Sequence, residues 1–187
     1  MNETEVKAFW RWFEEHAKRG EVDQAAVRAR VKKLCDRLDV FIRPNEIRAC
    51  RDLILSANYA RDAFPIVDEL VLAAPPIEGW SIIAFLPQKQ LTETFNFEGI
   101  VYSLKNLSFV PDSDGFDLAV VICADLQTIT EDAIQSLFHD ILGEYESICG
   151  VRYLDIVDSS ALDEDVEVRH ISELYAVVEN FHHFEAG

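Results

Sequence analysis

The sequence predicts an α+β fold: a mixed, largely antiparallel sheet with two N-terminal helices and further packed helices. Three observations predict it. Apolar residues of the first 39 positions recur at helical spacing. From residue 40 the pattern changes to short β-prone runs, Val40-Phe41-Ile42, Leu53-Ile54-Leu55, Trp80 to Leu86 and Leu118 to Ala124. Helical stripes return between those runs, so residues 40–86 and 94–157 each read β-β-α-β, two ββαβ-type units.

The first helix carries Val6, Phe9, Trp10, Phe13 and Ala17 on one stripe and stops at Gly20. Trp12 falls on the margin of that stripe, which makes it the candidate exposed aromatic anchor. A second helix begins near Val22, with Val27, Val31, Leu34 and Leu38 on one face and Arg28, Arg30, Lys32, Lys33 and Arg37 on the others. The two β-prone runs that follow flank a break at Arg43-Pro44-Asn45-Glu46 and read as a hairpin. Asp62 is the expected cap of a short helix with Pro65 in its first turn and Phe64, Val67, Leu70 and Val71 inward. Pro75-Pro76 ends it, and the Trp80 to Leu86 strand follows.

Residues 92–110 read as short strands around Asn96, Gly99 and Asn106. Asp112-Ser113-Asp114-Gly115 is a turn that launches Phe116 to Ala124, a strand buried on both faces. Thr130 is the expected N-cap of a helix with core stripe Ile134, Leu137, Phe138, Ile141, Leu142 and Tyr145. Val151 to Val157 is a strand, Asp158 to Glu167 an acidic connector, and Ile171, Leu174, Tyr175, Val178 and Phe181 mark a last helix. No Pro-, Gly- or Ser-rich linker interrupts the chain, so residues 1–187 read as one α+β domain: a helical part at 1–39, a sheet core at 40–157, and the connector and last helix at 158–187.

Charge narrows the function classes. The 187 residues hold 17 Lys and Arg against 34 Asp and Glu, a net charge of −17. A nucleic-acid binder needs the opposite footprint, and anionic lipid is disfavoured for the same reason. No apolar run approaches the ~20 residues of a membrane span, and the acidic start does not resemble a secretory signal. Cys35, Cys50, Cys123 and Cys149 form no Cys-x-x-Cys pattern and sit in apolar contexts, as reduced thiols of a cytoplasmic protein do.

Several landmarks occur in order: Phe9-Trp10-x-Trp12-Phe13-Glu14, Leu55-Ser56-Ala57, Phe64-Pro65-x-Val67, Ala74-Pro75, Trp80-x-Ile82-x-Ala84-Phe85 and Leu142-Gly143-Glu144-Tyr145. Over residues 9–157 the chain resembles a family of short, uncharacterised bacterial proteins. The resemblance implies a bacterial cytoplasmic single-domain protein and brings no reaction, ligand or catalytic residue. Many relatives continue the Ser-Ala pair with an acid and Gly, where this chain has Asn58-Tyr59.

Glycine-rich phosphate loops and a Gly-x-Ser-x-Gly elbow are absent from the sequence. The best metal-like cluster, His139, Asp140 and Glu144, fails on an ideal helical wheel, where His139 points ~100° from Asp140 and ~140° from Glu144. No catalytic, cofactor-binding or metal residue is therefore predicted. The expectation is a non-enzymatic protein-binding domain, regulatory or immunity-like, that offers an acidic surface to a basic protein. Its candidate contacts are Trp12, Asp158, Asp163, Glu164, Asp165 and Glu167. Arg28, Lys32, Lys33 and Arg37 complement residues 158–167 of the same chain or of a neighbouring one, so a second copy is a further candidate partner. The alternative is a small enzyme or small-molecule binder with a site assembled from distant residues.

Overall fold

The computed structural model describes residues 2–90, 92–113, 117–163 and 165–185, the side chains of 182–185 excepted. The chain forms two compact units, Met1–Leu86 and Pro87–Gly187. The fold is α+β with two N-terminal helices and mostly antiparallel pairing.

In the first unit, α1 (Glu3–Arg19) starts where the Asn2 side chain accepts the Thr4 N–H, and it ends at Gly20, whose φ of 71° is left-handed. Its stripe Val6, Phe9, Trp10 and Phe13 is buried. The Trp10 indole, costly to bury alone, donates to the Leu70 carbonyl at 3.0 Å. Asp23 caps α2 (Gln24–Leu34), which buries Val27 and Val31. Leu38, expected on the stripe of that helix, is buried as expected but lies beyond its end, because α2 stops at Leu34.

Strands β1 (Asp39–Asn45) and β2 (Cys50–Ser56) are antiparallel, and β3 (Trp80–Ala84) lies parallel to β2. The hairpin turn sits at residues 46–49, later than the Pro44 break suggested. Pro44 stays inside β1 because β1 is an edge strand. Helix α3 (Phe64–Leu72) makes the crossover and packs on β2 and β3. Asp62 does not cap it: the residue lies in a 3-10 turn, Arg61–Ala63, and its carboxylate pairs with Arg37 instead.

The second unit opens with a separate hairpin, β4 (Thr94–Phe97) and β5 (Ile100–Ser103). A four-stranded sheet follows, ordered β8-β7-β6-β9, from β6 (Ser108–Ser113), β7 (Leu118–Ala124), β8 (Tyr153–Asp158) and β9 (Arg169–His170). Strands β6 and β7 are antiparallel, and β7 and β8 are parallel across α4 (Glu131–Tyr145). This β6-β7-α4-β8 connectivity repeats that of β1-β2-α3-β3, so each unit holds one ββαβ arrangement. The second starts at residue 108, because β4 and β5 stand apart from it. Asp114, Gly115 and Phe116 lie outside the described residues.

Phe109, Val120, Ile122, Ile134, Leu137, Phe138, Ile171, Leu174 and Val178 form the core of the second unit, the last three with α5 (Leu174–Glu185) and the turn before it. Burying side chains of this size stabilises by about 1.5–3 kcal/mol each. Tyr145, expected on the core stripe of α4, is 48% exposed. The cause is Gly143, whose φ 73° and ψ 177° leave the helical conformation two residues earlier. Among the described residues no helix is long and apolar enough to cross a membrane.

Candidate functional site

Charge is divided between the units. Residues 1–86 carry 13 Lys and Arg against 14 Asp and Glu, and residues 87–187 carry 4 against 20. The basic face of α2 finds its partners locally: Arg28 pairs with Asp39, Arg37 with Asp62, and Lys32 donates to the Asp36 carbonyl. In the second unit, Lys89 pairs with Asp140 at 2.7 Å and Arg152 with Asp117 at 2.7 Å. Two of its four cations are thus engaged by two of its own acids.

The expected contact residues occupy unlike settings. Asp158 ends β8, and its oxygens accept the Leu126 N–H at 3.2 Å, the Ser160 N–H at 2.9 Å and the Ser160 hydroxyl. Those donors, the Ser160 hydroxyl foremost, hold its carboxyl below the usual carboxylate range. Asp158 therefore ties the loop after β7 to the 3-10 turn Ser159–Ala161. Asp163, Asp165 and Glu167 are exposed, and Glu164 lies outside the described residues.

Trp12 is half-buried. The Arg30 guanidinium lies 4.1 Å from its ring centroid and the His16 ring 4.6 Å away. One face of the indole is occupied by a cation of the same unit, a pairing worth about 0.5–1 kcal/mol at such exposure.

The end of α4 departs from the ideal wheel. A helical count separates His139 from Glu144 only while the backbone stays helical, and at Gly143 it does not. Glu144 is fully buried, and both it and Asp140 favour the charged form of His139. Burial is the larger influence and lowers the His139 pKa, so the ring is biased toward neutrality. The readable signal was the glycine inside an apolar helical stripe. Among the described residues no group of three His, Cys, Asp or Glu side chains could hold a metal ion.

A cleft of about 380 Å³ is lined by Asp112, Asp117, Arg152 and Tyr153, with Arg152 5.5 Å from the Tyr153 ring centroid. The Arg152 guanidinium there is already held by Asp117. None of the four cysteines is held in a disulfide, and burial raises the pKa of Cys123. Comparison with family models, curated proteins and solved structures returns no match.

Proposed function

We propose that this chain is a non-enzymatic protein-binding domain, regulatory or immunity-like, whose Pro87–Gly187 unit takes a basic partner in a bacterial cytoplasm. The observation that carries the reading is the 20-to-4 excess of acids in that unit, with Lys89 and Arg152 already engaged by Asp140 and Asp117. Uncompensated like charge raises local potential and speeds encounter with a positive surface. Exposed Asp163, Asp165 and Glu167 supply part of it, while Asp158 accepts hydrogen bonds from Leu126 and Ser160 at the start of the segment. Four cysteines outside any disulfide agree with a reducing compartment.

Affinity capture from the native host at low and moderate salt tests the proposal. A basic protein should be recovered, released by salt, and lost when Asp163, Asp165 and Glu167 are changed to Asn, Asn and Gln. Retention of the same partner by that variant would remove this segment as the contact. An enzymatic reading would centre on the end of α4, where buried Glu144 acts electrostatically on His139. A reaction abolished by His139→Gln in a correctly folded protein would favour it.

A further inference from the structure

One polar row crosses the sheet of the first unit. Strand register places Arg43 of β1 opposite Asp52 of β2, and Asp52 opposite Ser81 of β3. Directly opposed residues project from one face, so the three side chains share it. Asp52 is only 3% exposed, although Leu53, Ile54 and Leu55 follow it in the strand. A buried carboxylate is tolerated only when paired and hydrogen-bonded. Here Oδ2 accepts from Arg43 Nε at 3.4 Å and Oδ1 from Asn45 Nδ2 at 2.9 Å. Asn45 Oδ1 in turn accepts the Arg48 N–H at 3.1 Å, which draws the hairpin turn back toward the row. The Arg48 side chain then reaches across, with Nη1 donating to Ser81 Oγ at 3.4 Å.

Two guanidinium groups are thus anchored on neighbouring positions of one row, Arg43 at Asp52 and Arg48 at Ser81. Adjacent strands lie about 4.8 Å apart, so the anchor points are within the span of one small ligand. Each arginine commits one N–H among its five donors to these contacts, and both residues are exposed. A carboxylate would saturate one fork. Two forks and a hydroxyl match a group with three terminal oxygens.

We propose that Arg43, Arg48 and the Ser81 hydroxyl form a binding site for a small phosphate-class oxyanion, with Asp52 as the residue that positions Arg43. All the residues of the site belong to the first unit.

The test is an NMR titration of the full chain, ¹⁵N-labelled, with inorganic phosphate at fixed ionic strength, alongside acetate and chloride. Saturable shifts of the Arg43 and Arg48 Nε–H signals and the Ser81 amide are expected with phosphate, and neither acetate nor chloride should reproduce them. Arg48→Ala should weaken phosphate about tenfold, and Arg48→Lys should restore little of it because the fork is lost. Arg43→Lys is the companion variant, since it keeps a charge beside buried Asp52 and so protects folding. Lys105→Ala removes one positive charge from the other unit and should leave binding unchanged. Non-saturating shifts, equal binding of acetate, or full retention by Arg48→Ala would overturn the proposal.

Discussion

Gly143 combines two demands that only glycine meets. Its φ 73° and ψ 177° fall where a Cβ collides with the backbone, and the residue is buried. Gly143→Ala should therefore destabilise by about 1–3 kcal/mol in urea unfolding. Gly20→Ala is the control. Gly20 is also left-handed, at φ 71°, but a Cβ there meets nothing within 4 Å, so the cost should stay near 1 kcal/mol. His139 carries a second residue-scale prediction. Burial lowers its pKa from the ordinary 6.5, so the unfolded chain binds the proton more readily than the native one. Stability from this group is complete above pH 6.5 and is lost as pH falls from 6.5 through the lowered native pKa. The urea midpoint of the wild type should fall across that window, and His139→Gln should show a shallower fall.

Both larger sheets blunt an edge strand with a side chain. On β1, Asp39 Oδ1 accepts the Val40 N–H at 2.7 Å, and Gln24 Oε1 accepts the Ile42 N–H at 2.9 Å. On β8, Asp155 Oδ1 accepts the Ile156 N–H at 2.9 Å. An edge N–H satisfied in this way no longer templates another strand. Asp155→Val should free the Ile156 N–H, remove a charge and raise concentration-dependent association in sedimentation velocity. Asp155→Asn keeps an acceptor oxygen at the same position and should stay nearer the wild type. Equal association of the two variants would show that charge alone protects the edge. Helix propensity and capping made most elements readable in advance: Gly20 ends α1, Thr130 caps α4, and Pro65 lies in the first turn of α3. Asp62 was misread because a carboxylate before a helix can serve the nearby Arg37 as well as the helix N-terminus.

At the scale of the molecule, electrostatic self-repulsion is the main consequence of composition. With 20 acids and 4 bases between residues 87 and 187, the native second unit concentrates like charge that salt screens over about 8 Å at physiological strength. Moving from low to moderate sodium chloride should raise the thermal midpoint. The charge-conserving ion pairs Lys89–Asp140 and Arg152–Asp117 weaken in the same salt, so a falling midpoint would mean that local pairs outweigh the repulsion.

Periodicity and composition determined the α+β class, the two N-terminal helices, the repeated β-β-α-β order and the acidic excess, because each depends on residues close in sequence. Register and backbone conformation lay beyond that reach. Nothing in the spacing of Arg43, Asp52 and Ser81 announces one row, since strand pairing brings together residues 9 and 29 positions apart. Nor does a helical wheel foresee Gly143, because a wheel assumes the regular backbone that glycine is free to abandon. Trp12 teaches the same lesson from the surface. Its place on the margin of α1 was legible, but only the packing of α2 beside α1 decided that Arg30 would cover the ring. Local patterns follow from neighbours along the chain, and the polar row, the helix break and the covered indole follow from neighbours in space.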